Sequence, residues 1–334
     1  MNLLLRLTAA LALMLALPGV SMASERTIVF GLIASGNQQT LEESFRPLAQ
    51  GMSAALGRPV ECAVFEDYAG AIWAMGAGKV QLAWFGNKSA IEAVDRSGGE
   101  VGAMALTESG GDGYRAHLIV RADSNLNSFE DVLRRAGDLT FGSGDPNSTS
   151  GTLVPGYYLF ATRNLDPKMI FKRVTQANHE NNFLAVAQGR ADVATGNSVD
   201  LERYKSRYPD FFKNTRIIWT SPLIPSDPIV WRKDLAPELK TAIRNFLTAY
   251  ARPRAGKTAS ETAQERAVMA RLKWSGFKAS DDSQLIPVRQ LELHKRRQLI
   301  EANMALDETS KAGKLREIDC ALNSLGANGT NAAP

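Results

Sequence analysis

The sequence is poor in the residues that hold metals and redox groups. It has two cysteines and three histidines in 334 residues, and their spacing does not match a metal-ligand pattern. Neither sign of charge dominates, because the formal net charge is +4 and falls to +3 if Arg6 is removed with the N-terminal segment. Such a mild, evenly spread charge argues against a nucleic-acid partner. We therefore expect no metal, no cofactor and no nucleic acid.

The two cysteines leave two states open. In an oxidising compartment Cys62 and Cys320 could form one disulfide. Cys62 lies in a strand-like run, where a buried free thiol is the more common state.

Long apolar runs are absent except at the N-terminus. Arg6 precedes an almost wholly apolar run at 7–20, and small residues follow at 21–23. This order is typical of a secretory signal peptide cut after Ala23, and the run is shorter than the roughly 20 residues of a membrane-spanning helix. No cysteine stands at the cleavage site. We therefore expect an exported protein without a lipid anchor.

Strand-like and helix-like runs alternate along the chain. Strand patterns at 27–34, 60–65 and 80–85 are each followed by a helix pattern. The first helix presents one apolar face, and Pro47 is expected near its beginning. The apolar residues of that face are Phe45, Leu48, Met52 and Leu56. The other two helices are expected at 69–78 and 89–95. Short alternating units predict open parallel sheets wrapped by helices, and about 310 residues suit two lobes better than one core.

A short internal repeat supports two similar lobes. Residues 78–87 read as a glycine that ends a helix, a basic residue, a buried strand and a Gly-Asn turn, and residues 189–197 repeat that order. The lobes are expected to meet at 113–114 and 221–227, where the chain crosses between them. Because ligands of open α/β sheets bind at the carboxyl ends of strands, two facing sheets predict a cleft.

The motif with the clearest chemistry is Asp-Pro-Asn-Ser-Thr-Ser-Gly at 145–151. It lies between an apolar strand-like run at 139–141 and a helix-like run at 153–161. Asp-Pro-Asn favours a turn, and hydroxyls at the start of a helix converge with its free N–H groups on an anion. A nucleotide-binding P-loop would need a lysine that is missing here. The alternative is that Ser148 only caps the helix, which leaves two hydroxyls unexplained.

The C-terminal part is predicted to be mostly helical from Pro237 onward. Amphipathic runs at 236–250 and 285–306 carry basic residues, which we interpret as solvated helix faces. Residues 326–334 are small and polar, and we expect them to be disordered.

Several motifs together resemble the periplasmic phosphonate-binding proteins of ABC transporters. The most specific are residues 145–151 with 153–158, and 221–225 with 227–233. Weaker matches lie at 67–70, 83–87 and 92–96. The resemblance implies an α/β, two-lobed periplasmic binding protein that is type II-like, with the ligand cleft between the lobes and a helical C-terminal extension. It implies these segments: signal peptide 1–23, first lobe 24–114, second lobe 115–224, return to the first lobe with C-terminal helices 225–325, and tail 326–334.

The resemblance also implies the function and the site. Members capture alkylphosphonates, and some relatives prefer phosphite, before delivery to membrane permease subunits that work with a cytoplasmic ATPase. By this resemblance Ser148, Thr149 and Ser150 hold the phosphonate oxygens, with Tyr68 from the facing lobe and His179 beside them. Tyr114 and Asp227 line the organic end of the ligand. For Asp227, a turn-forming role before Pro228 is the alternative. A monomer is expected.

One position departs from the family pattern. Members that bind an aminoalkylphosphonate carry a glutamate two residues after the position of Asn197, whereas this chain has Val199. Asp200 follows and could shift inward to compensate, but its side chain is expected to point elsewhere if the strand end is regular. We therefore predict a weakened preference for 2-aminoethylphosphonate relative to simpler alkylphosphonates or phosphite.

Two other classes of function stay open from the sequence. An exported phosphorus-ester hydrolase could use Ser148 or Thr149 as nucleophile and His179 as base, although no metal or cationic clamp is evident. A sensory module would bind the same ligand and dock on a receptor instead of a permease. A phosphite- or phosphate-ester-binding protein is the alternative within the family.

Overall fold

The computed structural model describes residues 27–329, with side chains to residue 326. The predicted signal peptide at 1–23 lies outside this part of the chain. The strands are β1 (Ile28–Ile33), β2 (Val60–Phe65), β3 (Leu82–Trp84), β4 (Gly99–Thr107), β5 (Gly113–Tyr114), β6 (Ala116–Arg121), β7 (Thr140–Ser143), β8 (Arg173–Gln176), β9 (Val193–Asn197), β10 (Thr215–Thr220), β11 (Ile224–Pro225), β12 (Pro228–Arg232) and β13 (Trp274–Ala279).

The helices are α1 (Gln38–Leu56), α2 (Tyr68–Gly76), α3 (Asn87–Arg96), α4 (Phe129–Arg135), α5 (Pro167–Ile170), α6 (His179–Ala187), α7 (Ser198–Arg207), α8 (Pro209–Lys213), α9 (Pro237–Ala249), α10 (Ala259–Arg271), α11 (Ile286–Glu301) and α12 (Glu308–Gly329). A wide π-helical segment covers Thr149–Leu153 and Gly156–Phe160. Each of the strands and helices predicted before residue 96 is present. Where both ends were predicted, the observed ends differ from them by at most two residues.

Two sheets form the two lobes. The first has the strand order β13-β4-β12-β3-β1-β2 and the second β10-β6-β9-β7-β8. Strands β1, β2 and β3 correspond in order and direction to β7, β8 and β9, and β12 and β4 correspond to β6 and β10. The prediction of two similar lobes is therefore confirmed, with β13 as an additional edge strand of the first sheet.

The sheets are mixed, so the prediction of parallel sheets is wrong in part. Strand β12 runs antiparallel to β3 and β4, and β6 runs antiparallel to β9 and β10. Both β6 and β12 enter their sheet directly from the other lobe, at the cleft end. They therefore run opposite to strands that end at the cleft.

The crossings between the lobes form a small ribbon. Strand β5 pairs antiparallel with β11, with Tyr114 opposite Ile224. The crossings at 113–114 and 221–227 were predicted as the places where the lobes meet, and this pairing connects them. The lobe boundaries at 114/115 and 224/225 stay predictions of where the chain bends.

Pro47 lies in the middle of helix α1, which corrects the prediction that it stands near the beginning. The helix begins nine residues earlier, where the Asn37 side chain accepts from Thr40 N at 2.9 Å. Pro47 has no N–H to donate to the carbonyl oxygen of Glu43. Glu43 is exposed, so a water molecule can donate to that oxygen instead. Full burial of Phe45 and Leu48 in the first lobe's core outweighs the cost of the proline.

The C-terminal part differs from its prediction in three places. Strand β13 interrupts the helices and extends the first sheet along β4. The predicted helix at 285–306 ends at Glu301, and α12 follows. Helix α12 continues to Gly329, so the first four residues of the predicted disordered tail are helical, and residues 330–334 lie outside the described part.

Helix α11 contacts both lobes. Arg289 pairs with Asp95 at 2.6 Å, and Glu292 pairs with Lys88 at 2.6 Å, so α11 is fixed to α3 of the first lobe. Its other side packs on the π-helical segment of the second lobe, where a side chain at Gly156 would meet Lys295 Nζ at 2.6 Å.

Candidate ligand-binding site

A pocket lies between the two sheets, at the carboxyl ends of β1–β3 and β7–β9, where open α/β sheets bind ligands. Its cavity volume, counted for the centres of water molecules, is about 50 Å³. At about 10–15 Å³ for one water, it holds a few waters or one small solute. All seven residues predicted for the site line it: Tyr68, Tyr114, Ser148, Thr149, Ser150, His179 and Asp227.

The Ser-Thr-Ser bend has the predicted turn and helix start. Asn147 N donates to Asp145 Oδ1 at 2.7 Å, and Gly151 N donates to Ser148 Oγ at 3.0 Å. Ser148 is therefore a helix cap, as the alternative interpretation proposed. Gly144 and Gly151 must be glycines, because a Cβ on Gly144 would stand 2.7 Å from Gly151 Cα. The close approach folds the bend toward the cleft.

The hydroxyls of Thr149 and Ser150 are not used by the cap. Thr149 Oγ1 accepts from Lys88 N of the first lobe at 2.9 Å. His179 Nε2 lies 3.4 Å from both Ser148 Oγ and Ser150 Oγ. All three hydroxyl residues and His179 are buried. The bend thus provides more hydroxyls than capping needs, gathered around one imidazole.

His179 is held neutral at the first position of helix α6. Burial lowers its pKa, so the charged imidazolium is disfavoured. Its Nδ1 is buried without a hydrogen-bond partner among residues 27–326. A neutral imidazole can donate one N–H to an oxyanion, and this imidazole lies beside hydroxyls that are also neutral donors.

Tyr68 reaches the bend from the first lobe. It is the first residue of α2, whose cap Asp67 accepts from Gly70 N at 2.7 Å. The phenol lies near Ser148, and burial raises its pKa far above the ordinary value. Tyr68 therefore keeps its proton and can donate it to an anion from the lobe opposite the bend.

Asp227 and Tyr114 form the other end of the pocket. Asp227 Oδ2 accepts from Trp84 Nε1 at 3.1 Å, while Oδ1 is buried and has no partner in the described chain. The carboxyl thus points into the pocket and is not used for the alternative turn before Pro228. Burial raises the pKa of Asp227 to about 7, and Tyr114 lies beside both Asp227 and Ser150. The free oxygen can pair with an ammonium or a hydroxyl.

The raised pKa of Asp227 makes stability depend on pH. An acid whose pKa is higher in the folded than in the unfolded state binds more protons when folded, so stability falls as pH rises between those two pKa values. For Asp227 this window runs from about 4 to about 7. We expect Asp227→Asn to match wild type near pH 4 and to be more stable above pH 7. Thermal unfolding between pH 4 and 8 checks this.

The control for this experiment is Asp210→Asn, since the Asp210 side chain is 93% exposed. We expect it to follow wild type throughout the pH range. A difference between Asp227→Asn and wild type that stays constant with pH would contradict the assignment.

Val199 lines the pocket where the aminoalkylphosphonate-binding members carry glutamate. It packs against the apolar cluster that contains Tyr114 and Ile224. The pocket wall is therefore apolar at this position.

Asp200 also lines the pocket, which corrects the prediction that it points elsewhere. Its oxygens accept from Asn197 Nδ2 at 2.8 Å and Arg203 Nη1 at 2.7 Å. Asn197 caps helix α7 and accepts from Asp200 N, and this exchange turns the Asp200 side chain back toward the helix start. Asp200 is consequently at the site with both oxygens already paired.

Sequence reasoning missed several lining residues. Trp84 ends strand β3 within a motif quoted for the family, so its position at the cleft was available from the strand-end rule. Arg203 lies in the second turn of α7, and the sequence carries no signal that it reaches the pocket. Ser35, Asn197 and Ser226 also line the pocket and were not predicted.

The state of the two cysteines can be checked within the described residues. Cys62 and Cys320 are both free, so the disulfide alternative is wrong for this structure, and Cys62 is half-buried. Residues 27–329 contain no cluster of histidine, cysteine and carboxylate side chains suited to a metal ion. Within the same residues, each helix is too short or too polar to cross a membrane.

The chain is similar in sequence to a known protein family and to known proteins. The family model described as "ABC transporter, phosphonate, periplasmic substrate-binding protein" matches residues 30–285. The phosphonates-binding periplasmic protein of Escherichia coli is 44% identical over 308 residues, which are 92% of this chain and 88% of that protein. A phosphate-import protein of Mycolicibacterium smegmatis is 27% identical over 64% of this chain and 68% of its own length.

Among solved structures, the binding component of an ABC phosphonate transporter from Pseudomonas aeruginosa is similar along most of the chain. Its TM-score is 0.86 at 44% sequence identity, with 92% of this chain and 99% of that chain covered. The chain therefore belongs to the family of periplasmic substrate-binding proteins of phosphonate ABC transporters.

Proposed function

We propose that this protein captures phosphonates in the periplasm and delivers them to the membrane permease by closing its lobes. The observation that carries the proposal is the pocket itself, in which three buried hydroxyls, His179 and Tyr68 converge from both lobes. A tetrahedral phosphonate dianion presents three oxygens, and hydrogen bonds to a charged acceptor are roughly twice as strong as neutral ones. The site residues are proposed as above, with Tyr114 and Asp227 at the organic end.

The proposal extends to the surroundings of the protein. It is exported by the N-terminal segment, carries no lipid anchor, works as a monomer and passes its ligand to permease subunits that are driven by a cytoplasmic ATPase. Contacts from both lobes form together only in the closed state, so the ligand shifts the hinge equilibrium toward closure. For a ligand of about seven heavy atoms the binding free energy is limited to roughly −10 kcal/mol, or a dissociation constant of tens of nanomolar.

The ligand ranking is the first test. We expect calorimetric titration of the mature protein to give binding of methylphosphonate or phosphite that competes well with 2-aminoethylphosphonate, because Val199 offers no second carboxylate to the ammonium. Nanomolar binding of the aminated ligand, with methylphosphonate far weaker, would reject this ranking. Binding of none of the three compounds would reject the proposed function.

The hydrolase alternative is less well supported. His179 Nε2 is near Ser148 Oγ, as a base would be, but no carboxylate in the described chain accepts from Nδ1 to orient the ring. Incubation of the protein with a phosphonate and a phosphate ester, with and without divalent metals, should release no phosphate. Phosphate release that increases with protein concentration would favour the enzyme.

A further inference from the structure

The mouth of the cleft, next to the ligand pocket, carries further polar contacts between the lobes. Three side chains of the second lobe make these contacts with backbone and hydroxyl groups of the first. We call this set the mouth cluster, and it consists of Glu180, Arg203 and Arg207 with Ser35, Asn37, Thr40 and Leu272.

Glu180 is the centre of the mouth cluster. It is only 8% exposed, and its carboxylate accepts from Asn37 N of the first lobe at 3.2 Å. Arg207 at 3.1 Å and the hydroxyl of Tyr208 at 2.6 Å donate to the same carboxylate from the second lobe. The backbone N of Glu180 donates to Ser35 O at 3.1 Å. A buried carboxylate is stable only with such partners, and part of this set exists only when the lobes meet.

The two arginines add further contacts across the mouth. Arg203 Nη2 donates to Leu272 O at 2.8 Å, and Arg207 Nη2 donates to Thr40 Oγ1 at 3.1 Å. Arg203 also lies over the Trp84 ring, with its guanidinium carbon 5.7 Å from the ring centre. The mouth cluster thus fastens α6 and α7 of the second lobe to the first lobe next to the ligand.

Gly36 shows how closely the lobes approach here. A Cβ on Gly36 would lie 2.1 Å from Glu180 Oε2, 3.0 Å from its Cδ and 3.1 Å from its Cβ. Rotation of the carboxylate alone would not relieve all three contacts. The φ angle of Gly36 is outside the left-handed region, so alanine fits the loop itself. Only the contact with the second lobe requires glycine.

We propose that Glu180, assisted by Arg203 and Arg207, is a positioning residue that holds the lobes closed over the bound ligand and so sets how slowly it leaves. This inference rests on the proposed function of ligand capture. The ligand enters the open form, in which the mouth contacts are absent, and leaves only after they break. Losing them should therefore change the dissociation rate constant and leave the association rate constant nearly unchanged. Glu180 directly follows His179, so the same contacts also place the imidazole over the ligand.

The test uses two variants and methylphosphonate as the ligand. Gly36→Ala changes only the first lobe and opposes closure through its contact with Glu180, and Glu180→Gln weakens the carboxylate contacts directly. Trp84 lies in the pocket, so stopped-flow tryptophan fluorescence can follow binding. We expect both variants to raise the dissociation rate constant about 10- to 100-fold, as for the loss of a charged hydrogen bond, with association rates within about threefold of wild type.

The matched control is Gly137→Ala on the surface of the second lobe, where a Cβ meets nothing within 4 Å. It should leave both rate constants as in wild type. If wild type binds methylphosphonate and the dissociation rate constants of Gly36→Ala and Glu180→Gln equal that of wild type, this inference is wrong while the proposed function stands. Equal changes in association and dissociation rates would also overturn it. A wild-type protein that binds none of the phosphorus compounds would instead reject the proposed function, and this inference with it.

Discussion

Replacing Thr149 and Ser150 together with alanine is expected to lower the affinity for methylphosphonate about 10²- to 10⁴-fold. Each hydroxyl offers a hydrogen bond to a charged oxygen, worth about 1.5–3 kcal/mol, and the two contributions are combined in this variant. Ser148 is left in place because it caps the π-helical segment through Gly151 N. The loss then concerns the ligand and not the start of the helix.

Calorimetric titration measures this loss, and thermal unfolding without ligand checks that the fold is intact. Thr149→Ser is the matched control, since it keeps the hydroxyl that meets Lys88 N and loses only a methyl group. We expect it to bind within about threefold of wild type. A double alanine variant that binds methylphosphonate as well as wild type would show that the bend is not the oxyanion site.

Replacing Val199 with glutamate is expected to raise the affinity for 2-aminoethylphosphonate about 10- to 100-fold relative to methylphosphonate. The new carboxylate would face the same pocket as Asp227, whose Oδ1 has no partner in the described chain, and the ammonium would then have two carboxylates to pair with. A charge-assisted hydrogen bond of about 1.5–3 kcal/mol corresponds to that range. Methylphosphonate has no ammonium, so its affinity should stay the same or fall.

Val199→Gln is the control for size and polarity without charge. Titrating both variants and wild type with both ligands gives the ratio of affinities directly, and we expect the glutamine variant to change it by less than threefold. An equal gain for glutamine would mean that the polarity of residue 199, and not its charge, determines the ratio of affinities. An unchanged ratio for glutamate would mean that the ammonium does not lie between residues 199 and 227.

Much of the fold followed from local patterns in the sequence. Strand–helix alternation located β1, β2 and β3, and the repeat at 78–87 and 189–197 predicted two lobes of one design. The glycine that begins the repeat has φ of +71° in both lobes, at Gly78 and at Gly189. Glycine is repeated there because both positions have a left-handed backbone conformation. The strand-end rule and the family motifs located the seven residues predicted for the site, and all seven line one pocket.

The parts that could not be predicted depend on tertiary packing. The residue type of Pro47 predicts the start of a helix, but burial of Phe45 and Leu48 stabilises a helix that continues on both sides of it. Strand β13 contains Gly276, and it becomes a strand because β4 offers an edge for pairing. The mouth contact of Arg203 with Leu272 O joins residues 69 positions apart. Every residue has a backbone carbonyl, so the sequence does not indicate which one will accept this hydrogen bond.

Helix α11 offers a place to attach an optical reporter. Its ion pairs with Lys88 and Asp95 tie it to one half of the molecule, while Leu299 borders a crevice against the other half. A dye on a cysteine placed at Leu299 would therefore experience a different polarity each time the halves part. Cys320 is exposed and must first become serine, whereas burial raises the pKa of the Cys62 thiol to about 11 and keeps it unreactive. With these two substitutions the labelled protein should report the binding of phosphonates.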